Sequence, residues 1–115
     1  ISYVNAHATA TEQGDQAESH AIHRVFGGNV PVSSLKGHLG HTLAASGALE
    51  LVATLQMMAR NRLFPTLNLE NIDPECAPLW YLTGMQEAEL DAVMKNNFAL
   101  GGVNSSIVVR RYQND

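Results

Sequence analysis

Apolar and polar positions along this chain fall into blocks that predict a strand, a helix, a strand, a longer helix and a closing pair of strands. Residues 1–5, "ISYVN", form a short apolar run of strand character. Asp15 has N-cap chemistry, and Glu18 three residues later completes a capping box. Ala17, Ala21, Ile22, Val25 and Phe26 then share one helical face, and Gly27-Gly28 stop the helix. Residues 30–34 read as a second strand. The Gly-rich turn "LKGHLGH" leads into a helix over about 41–60. That helix is apolar nearly all round, which predicts burial between layers rather than a place on the surface. Residues 61–83 hold three of the four prolines, at 65, 74 and 78, and read as extended loop with a short strand at 79–82. The runs 95–100 and 105–111 flank "GGVN" and suggest an antiparallel pair. This order predicts an α/β layer fold with a mixed sheet.

One position breaks the apolar helix. Glu50 sits inside "AASGALELVATLQMM", where an unpaired carboxylate is costly to bury. With Thr42, Ser46 and Thr54 it forms a polar seam recurring every four residues. The seam is either a solvent-facing stripe or the lining of a buried site. In the second case Glu50 needs a cation, and Lys36 or Arg60 can supply it, the carboxylate keeping a buried lysine charged. His41 is expected in the first turn of the same helix, where the positive helix end disfavours imidazolium and leaves a neutral donor. Together with His7 and Lys36 it forms a possible cluster.

Composition narrows the class. The chain has 115 residues, 45% of them hydrophobic and 16% charged, which fits one globular domain. A net charge of −4 with seven Lys and Arg supplies no basic surface for nucleic acid. A single cysteine excludes an internal disulfide framework and points to a reducing cytosol. The most apolar run, 43–59, is interrupted by Glu50 and Gln56, so no membrane span is expected. His20 and His23 lie three apart on one helix without a third ligand, so no metal site is expected there. The opening residues read as a buried strand in mid-fold, which suggests a piece of a longer protein.

Four stretches carry a family resemblance: "NAHATATEQGDQAE", "VSSLKGHLGHTLAASGALE", "PTLNLENIDPEC" and "NNFALGGVNSS". In their order and spacing the chain resembles the C-terminal part of a β-ketoacyl-acyl carrier protein synthase, the condensing enzyme of fatty acid and polyketide synthesis. The resemblance covers essentially all of residues 1–115. It implies the C-terminal half of a thiolase-like α/β fold, with a mixed five-stranded sheet and a buried central helix.

The same resemblance implies a decarboxylative Claisen condensation at a Cys-His-His site. His7 and His41 match the two family histidines, held to assist decarboxylation and to steady the enolate oxygen. Lys36 and Glu50 match the family's lysine and its acidic partner. Thr9 and Thr11 match threonines that hydrogen-bond the pantetheine arm. Leu100 stands where the family usually has Phe, keeping a backbone N–H for an oxyanion hole but changing the gate to the acyl pocket. Ala8 replaces a usual Gly, with only a modest effect expected; Gly37 and His38 also depart, and His38 is read as a turn residue. No cofactor is implied, because substrates ride on the phosphopantetheine of acyl carrier protein. The implied partners are that carrier, an N-terminal half of the synthase supplying the nucleophilic cysteine, and a second subunit in a homodimer or heterodimer. Cys76, in a Pro-bounded loop, is not that nucleophile, so the 115 residues alone are expected to be inactive. The alternative is a non-catalytic partner of chain-length-factor type, which shapes a cavity or docks a carrier.

Overall fold

The computed structural model describes residues 1–112. Its centre is strand β1 (Tyr3–Asn5), buried along its whole length. The neighbours of β1 are β2 (Pro31–Ser33) and β6 (Ala92–Ala99), both parallel to it. Strand β4 (Trp80–Tyr81) extends the sheet parallel to β2, and β7 (Val103–Arg110) extends it antiparallel to β6. The five-stranded order is therefore β4-β2-β1-β6-β7, a mixed sheet as the sequence predicts. Strands β3 (Arg62–Leu63) and β5 (Gln86–Glu87) form a small separate antiparallel pair within and just beyond the stretch expected as loop.

Side chains of β1 alternate across the sheet, because successive residues of a strand point to opposite faces. Tyr3 joins Leu35, Met57, Met58, Leu63, Leu82, Leu90 and Val93 in one core. Val4 joins Ala6, Ile22 and Val32 in the other. The first core lies under helix α3 (Ser46–Arg60), the second under helix α1 (Glu12–Phe26). Each helix thus has its own side of the sheet.

Both helices differ from their predicted form. Helix α1 starts ahead of Asp15, after an extended Thr11 that makes no side-chain cap. Asp15 lies within the first turn, near the positive end of the helix. Glu18 closes no capping box, because its carboxylate turns inward to the backbone N–H groups of His7 and Ala8. The stop at Gly27 is as expected; its φ of +62° suits a residue without Cβ.

Helix α3 begins at Ser46, preceded by a one-turn helix α2 (Lys36–Leu39) and a 3-10 turn (Leu43–Ala45). His41 therefore lies ahead of the helix rather than in its first turn. The helix is covered on one side only. Its buried face is the polar seam, Ser46, Glu50 and Thr54, with Met57 and Met58, while Leu49, Val52 and Leu55 stay 39–58% exposed. A single sheet face can bury only one stripe of a helix. The seam takes that place because cations await Glu50 there. Asn61 caps the helix in the left-handed region, its N–H donating to Met57 and Met58 carbonyls.

Ala8 also departs from expectation. Its φ is +28°, in the region that favours glycine, and its N–H is held there by Glu18. The methyl replacing a family glycine is therefore strained rather than indifferent. Ala8→Gly relieves the strain while loosening the unfolded chain, so it should raise stability by up to about 1 kcal/mol. Urea denaturation of the intact protein checks this; a loss of stability contradicts it.

Candidate active site

The carboxyl ends of β1, β2 and β6 all lie at one edge of the parallel part of the sheet, the edge where open α/β sheets bind ligands. His7 follows β1, Lys36 follows β2, and Phe98 lies in the last residues of β6. The loop before α3 brings His41 to the same place. The rings of His7 and His41 meet edge to face with centroids 5.6 Å apart, and Phe98 meets His7 at 5.8 Å in the same manner.

Beneath them lies an ionic cluster. Lys36 Nζ is 2.6 Å from Glu50 Oε1, and both side chains are nearly inaccessible. Arg60, the other cation the sequence offers, bonds Gln56 instead. Ser46 Oγ donates to the same Oε1 at 2.8 Å, and Thr54 Oγ1 donates to the Glu50 carbonyl at 2.7 Å. The second oxygen, Oε2, faces the ammonium of Lys95 as an ion pair without a well-directed hydrogen bond. Burial works against ionisation of Glu50, but hydrogen bonds from Lys36 and Ser46 and the adjacent Lys95 ammonium together hold its carboxyl below the usual range.

The His7 loop has its own anchor. Glu18 Oε1 accepts from the His7 N–H at 2.9 Å and Oε2 from the Ala8 N–H at 2.8 Å. Asn96 Nδ2 donates to Oε1 at 3.2 Å, so a buried carboxylate is satisfied by three N–H groups. Ser34 Oγ ties down the other side of the loop by donating to the Ala8 carbonyl. The His7 imidazole is pushed down to about 4, first by burial and then by the charges of Lys36 and Lys95 and by His41. At neutral pH it is a neutral ring that donates one hydrogen bond, and a weak base. Among the described residues its enclosed Nδ1 has no hydrogen-bond partner. His41 Nδ1 accepts the Leu43 N–H at 3.1 Å, which leaves its proton on Nε2 when the ring is neutral.

Thr9 and Thr11 line a cleft of about 690 Å³ that also reaches Lys36, His41 and Cys76, and their hydroxyls lie 3.1 Å apart. Leu100 stands apart at the tip of the β6–β7 hairpin with its side chain fully exposed. His38 lies in the one-turn helix α2 rather than in a turn, and its ring bonds the Pro65 carbonyl at 2.9 Å. Gly37 explains itself: a Cβ there would meet the Leu67 carbonyl oxygen at 2.6 Å. Sequence reasoning missed Lys95, Glu18, Asn96 and Phe98 as parts of the site. A lone lysine inside the strand "AVMKNNFA" was the available signal for the first.

A parallel-stranded core whose carboxyl-end loops join two imidazoles over a buried lysine–carboxylate cluster has a thiolase-like form. Residues 1–70 match the profile of the beta-ketoacyl synthase C-terminal domain. The chain belongs to the beta-ketoacyl synthase family. It is 42% identical to 3-oxoacyl-acyl-carrier-protein synthase 2 of Synechocystis over 117 residues, covering 98% of this chain and 28% of that protein. It is 38% identical to synthase 1 of Escherichia coli K12 over 112 residues, covering 96% and 28%. Among solved structures, a beta-ketoacyl synthase from Burkholderia phymatum superposes with a TM-score of 0.95 at 54% identity, covering 98% and 28%. A ketosynthase solved with its chain length factor, from Xenorhabdus doucetiae, gives 0.88 at 39%, covering 94% and 28%. The chain thus spans about 28% of the length of the relatives it matches.

Two substitutions test how the site is held. Glu50→Gln leaves two buried ammonium groups without their counter-charge and should cost about 3–5 kcal/mol in denaturant unfolding; parental stability would remove the cluster from the account. Glu18→Gln strips a charged acceptor from two backbone N–H groups and should cost about 1.5–3 kcal/mol, measured the same way.

Proposed function

We propose that this chain supplies the decarboxylation and enolate-binding side of a β-ketoacyl-acyl carrier protein synthase. The observation that carries the reading is the pairing of His7 with His41 at 5.6 Å over the Lys36–Glu50 cluster. Malonyl thioester loses carbon dioxide, and the negative charge that develops on its thioester oxygen accepts hydrogen bonds from the imidazoles of His7 and His41. The carbanion then attacks the acyl thioester carbonyl, forming the new carbon–carbon bond and releasing the enzyme thiolate. His7 fits donation rather than proton abstraction, because its low basicity leaves it a poor base at neutral pH.

The thiol in this reading comes from chain beyond these residues. Cys76 lies in the loop lining the cleft of Thr9 and Thr11, its N–H bonded to the Asp73 carbonyl, on no strand-to-helix turn. Thr9 and Thr11 would hydrogen-bond a pantetheine arm entering the cleft, and the Leu100 N–H would complete an oxyanion hole once the acyl cysteine is in place. The uncovered Leu49, Val52 and Leu55 face of α3 fits packing by the other half of such a synthase. Acyl carrier protein is the proposed carrier and a second subunit the proposed neighbour, with no free cofactor.

A non-catalytic role beside an active synthase is the second reading, favoured by Leu100 in place of the usual aromatic gate and by similarity to solved ketosynthase–chain length factor complexes. The intact protein decides between them. Carbon dioxide release from malonyl-acyl carrier protein should be measurable and should fall about 100-fold or more in His41→Ala. Near-parental decarboxylation in that variant would remove His41 from the chemistry, and an inactive parent would favour the second reading.

A further inference from the structure

Two buried lysines, Lys36 and Lys95, share the one buried carboxylate of Glu50. Lys95 lies midway along β6, in register with Asn5 of β1 on one side and Ile107 of β7 on the other. It is fully inaccessible to solvent. A lysine near a surface normally extends its stem so that the ammonium reaches water. This one stays inside, pairs with Glu50 Oε2 and donates to the Asn96 carbonyl at 2.6 Å. Burying an ammonium is costly unless it is paired and hydrogen-bonded. One carboxylate already neutralised by Lys36 needs no second cation, so Lys95 makes the cluster two positive charges to one negative.

We propose that Lys95 is a positioning residue of this site, an internal cation that grips the second oxygen of Glu50 and leaves a net positive charge behind His7. The proposal rests on the reading of His7 and His41 as donors to the enolate oxygen. Gripped at both oxygens, the Glu50 carboxylate cannot turn, and Lys36 keeps one position. The groups facing His7 come from every element around it. Lys36 after β2, His41 before α3 and Lys95 on β6 all disfavour imidazolium; Glu50 on α3 favours it. Glu18 on α1 holds the backbone N–H of His7. Lys95 thus adds to burial and to Lys36 in disfavouring the charged form of His7. Burial pushes the Lys95 ammonium toward deprotonation, and Glu50 opposes that.

The test is Lys95→Met in the intact protein, which keeps an unbranched side chain of similar length and deletes the charge. The readout is the NMR titration of the His7 ring, alongside the pH profile of malonyl decarboxylation. In the parent, burial and the neighbouring cations push the His7 imidazole down to about 4. In the variant its midpoint should rise by about half a unit or more, and the acid limb of decarboxylation should move up with it. Superimposable His7 titrations in parent and variant would overturn the proposal. Should the Met variant fail to fold, Lys95→Arg must retain the parental His7 midpoint, and the parent's own Lys95 Nζ must be an ammonium at pH 7 by nitrogen NMR. A neutral amine there, or a shifted midpoint in Lys95→Arg, overturns it equally. The His7 titration needs no turnover, so an inactive parent would count against the synthase reading while the two titration curves still decide the role of Lys95.

Discussion

The carboxylate of Glu50 cannot be buried alone. An isolated carboxylate in a protein interior costs several kcal/mol even after relaxation, and Glu50 is 1% exposed. Lys36, Lys95 and Ser46 converge on it from a one-turn helix, a strand and its own helix. The convergence fixes the packing of α3, since the helix must turn its polar seam toward the sheet. Three segments are thereby drawn to one point, near enough for the charges of Lys36 and Lys95 to act on His7.

That constraint connects architecture to chemistry. Parallel strands place their carboxyl-end loops together, and the ionic cluster sets their spacing. Glu18 works on the other flank by binding consecutive N–H groups at the start of the His7 loop. The loop accepts backbone strain at Ala8 and Ala10, both at positive φ, in return for holding the ring against His41. The electrostatics follow from the same arrangement: burial and nearby cations lower the basicity of His7. A neutral donor results from position rather than from any special property of the residue.

Much of this was legible in the residues. Strand character at both ends of the chain, the break at Gly27 and the parallel-plus-antiparallel sheet follow from local pattern. The cost of burying Glu50 correctly pointed to a cation, and Lys36 was one of two candidates. What was missed is non-local. Asp15 and Glu18 have the spacing of a capping box, but two backbone N–H groups from the β1 loop compete for Glu18 and win. The all-apolar appearance of α3 suggested burial all round, yet one sheet face covers one stripe, and the stripe chosen was the polar one. Lys95 looked like an ordinary strand residue, because only the assembled sheet shows that its side chain has no route to water. Ala8 looked harmless because positive φ is not visible in a residue type that normally avoids it.

Lys36 and Glu50 act as one unit rather than as two residues that happen to be near each other. A double-mutant cycle on the intact protein, with Lys36→Met, Glu50→Gln and the pair together, measures that directly by denaturant unfolding. Coupled residues in one buried ionic network should show an interaction energy of about 1–3 kcal/mol. Single effects that simply add in the double variant would contradict it.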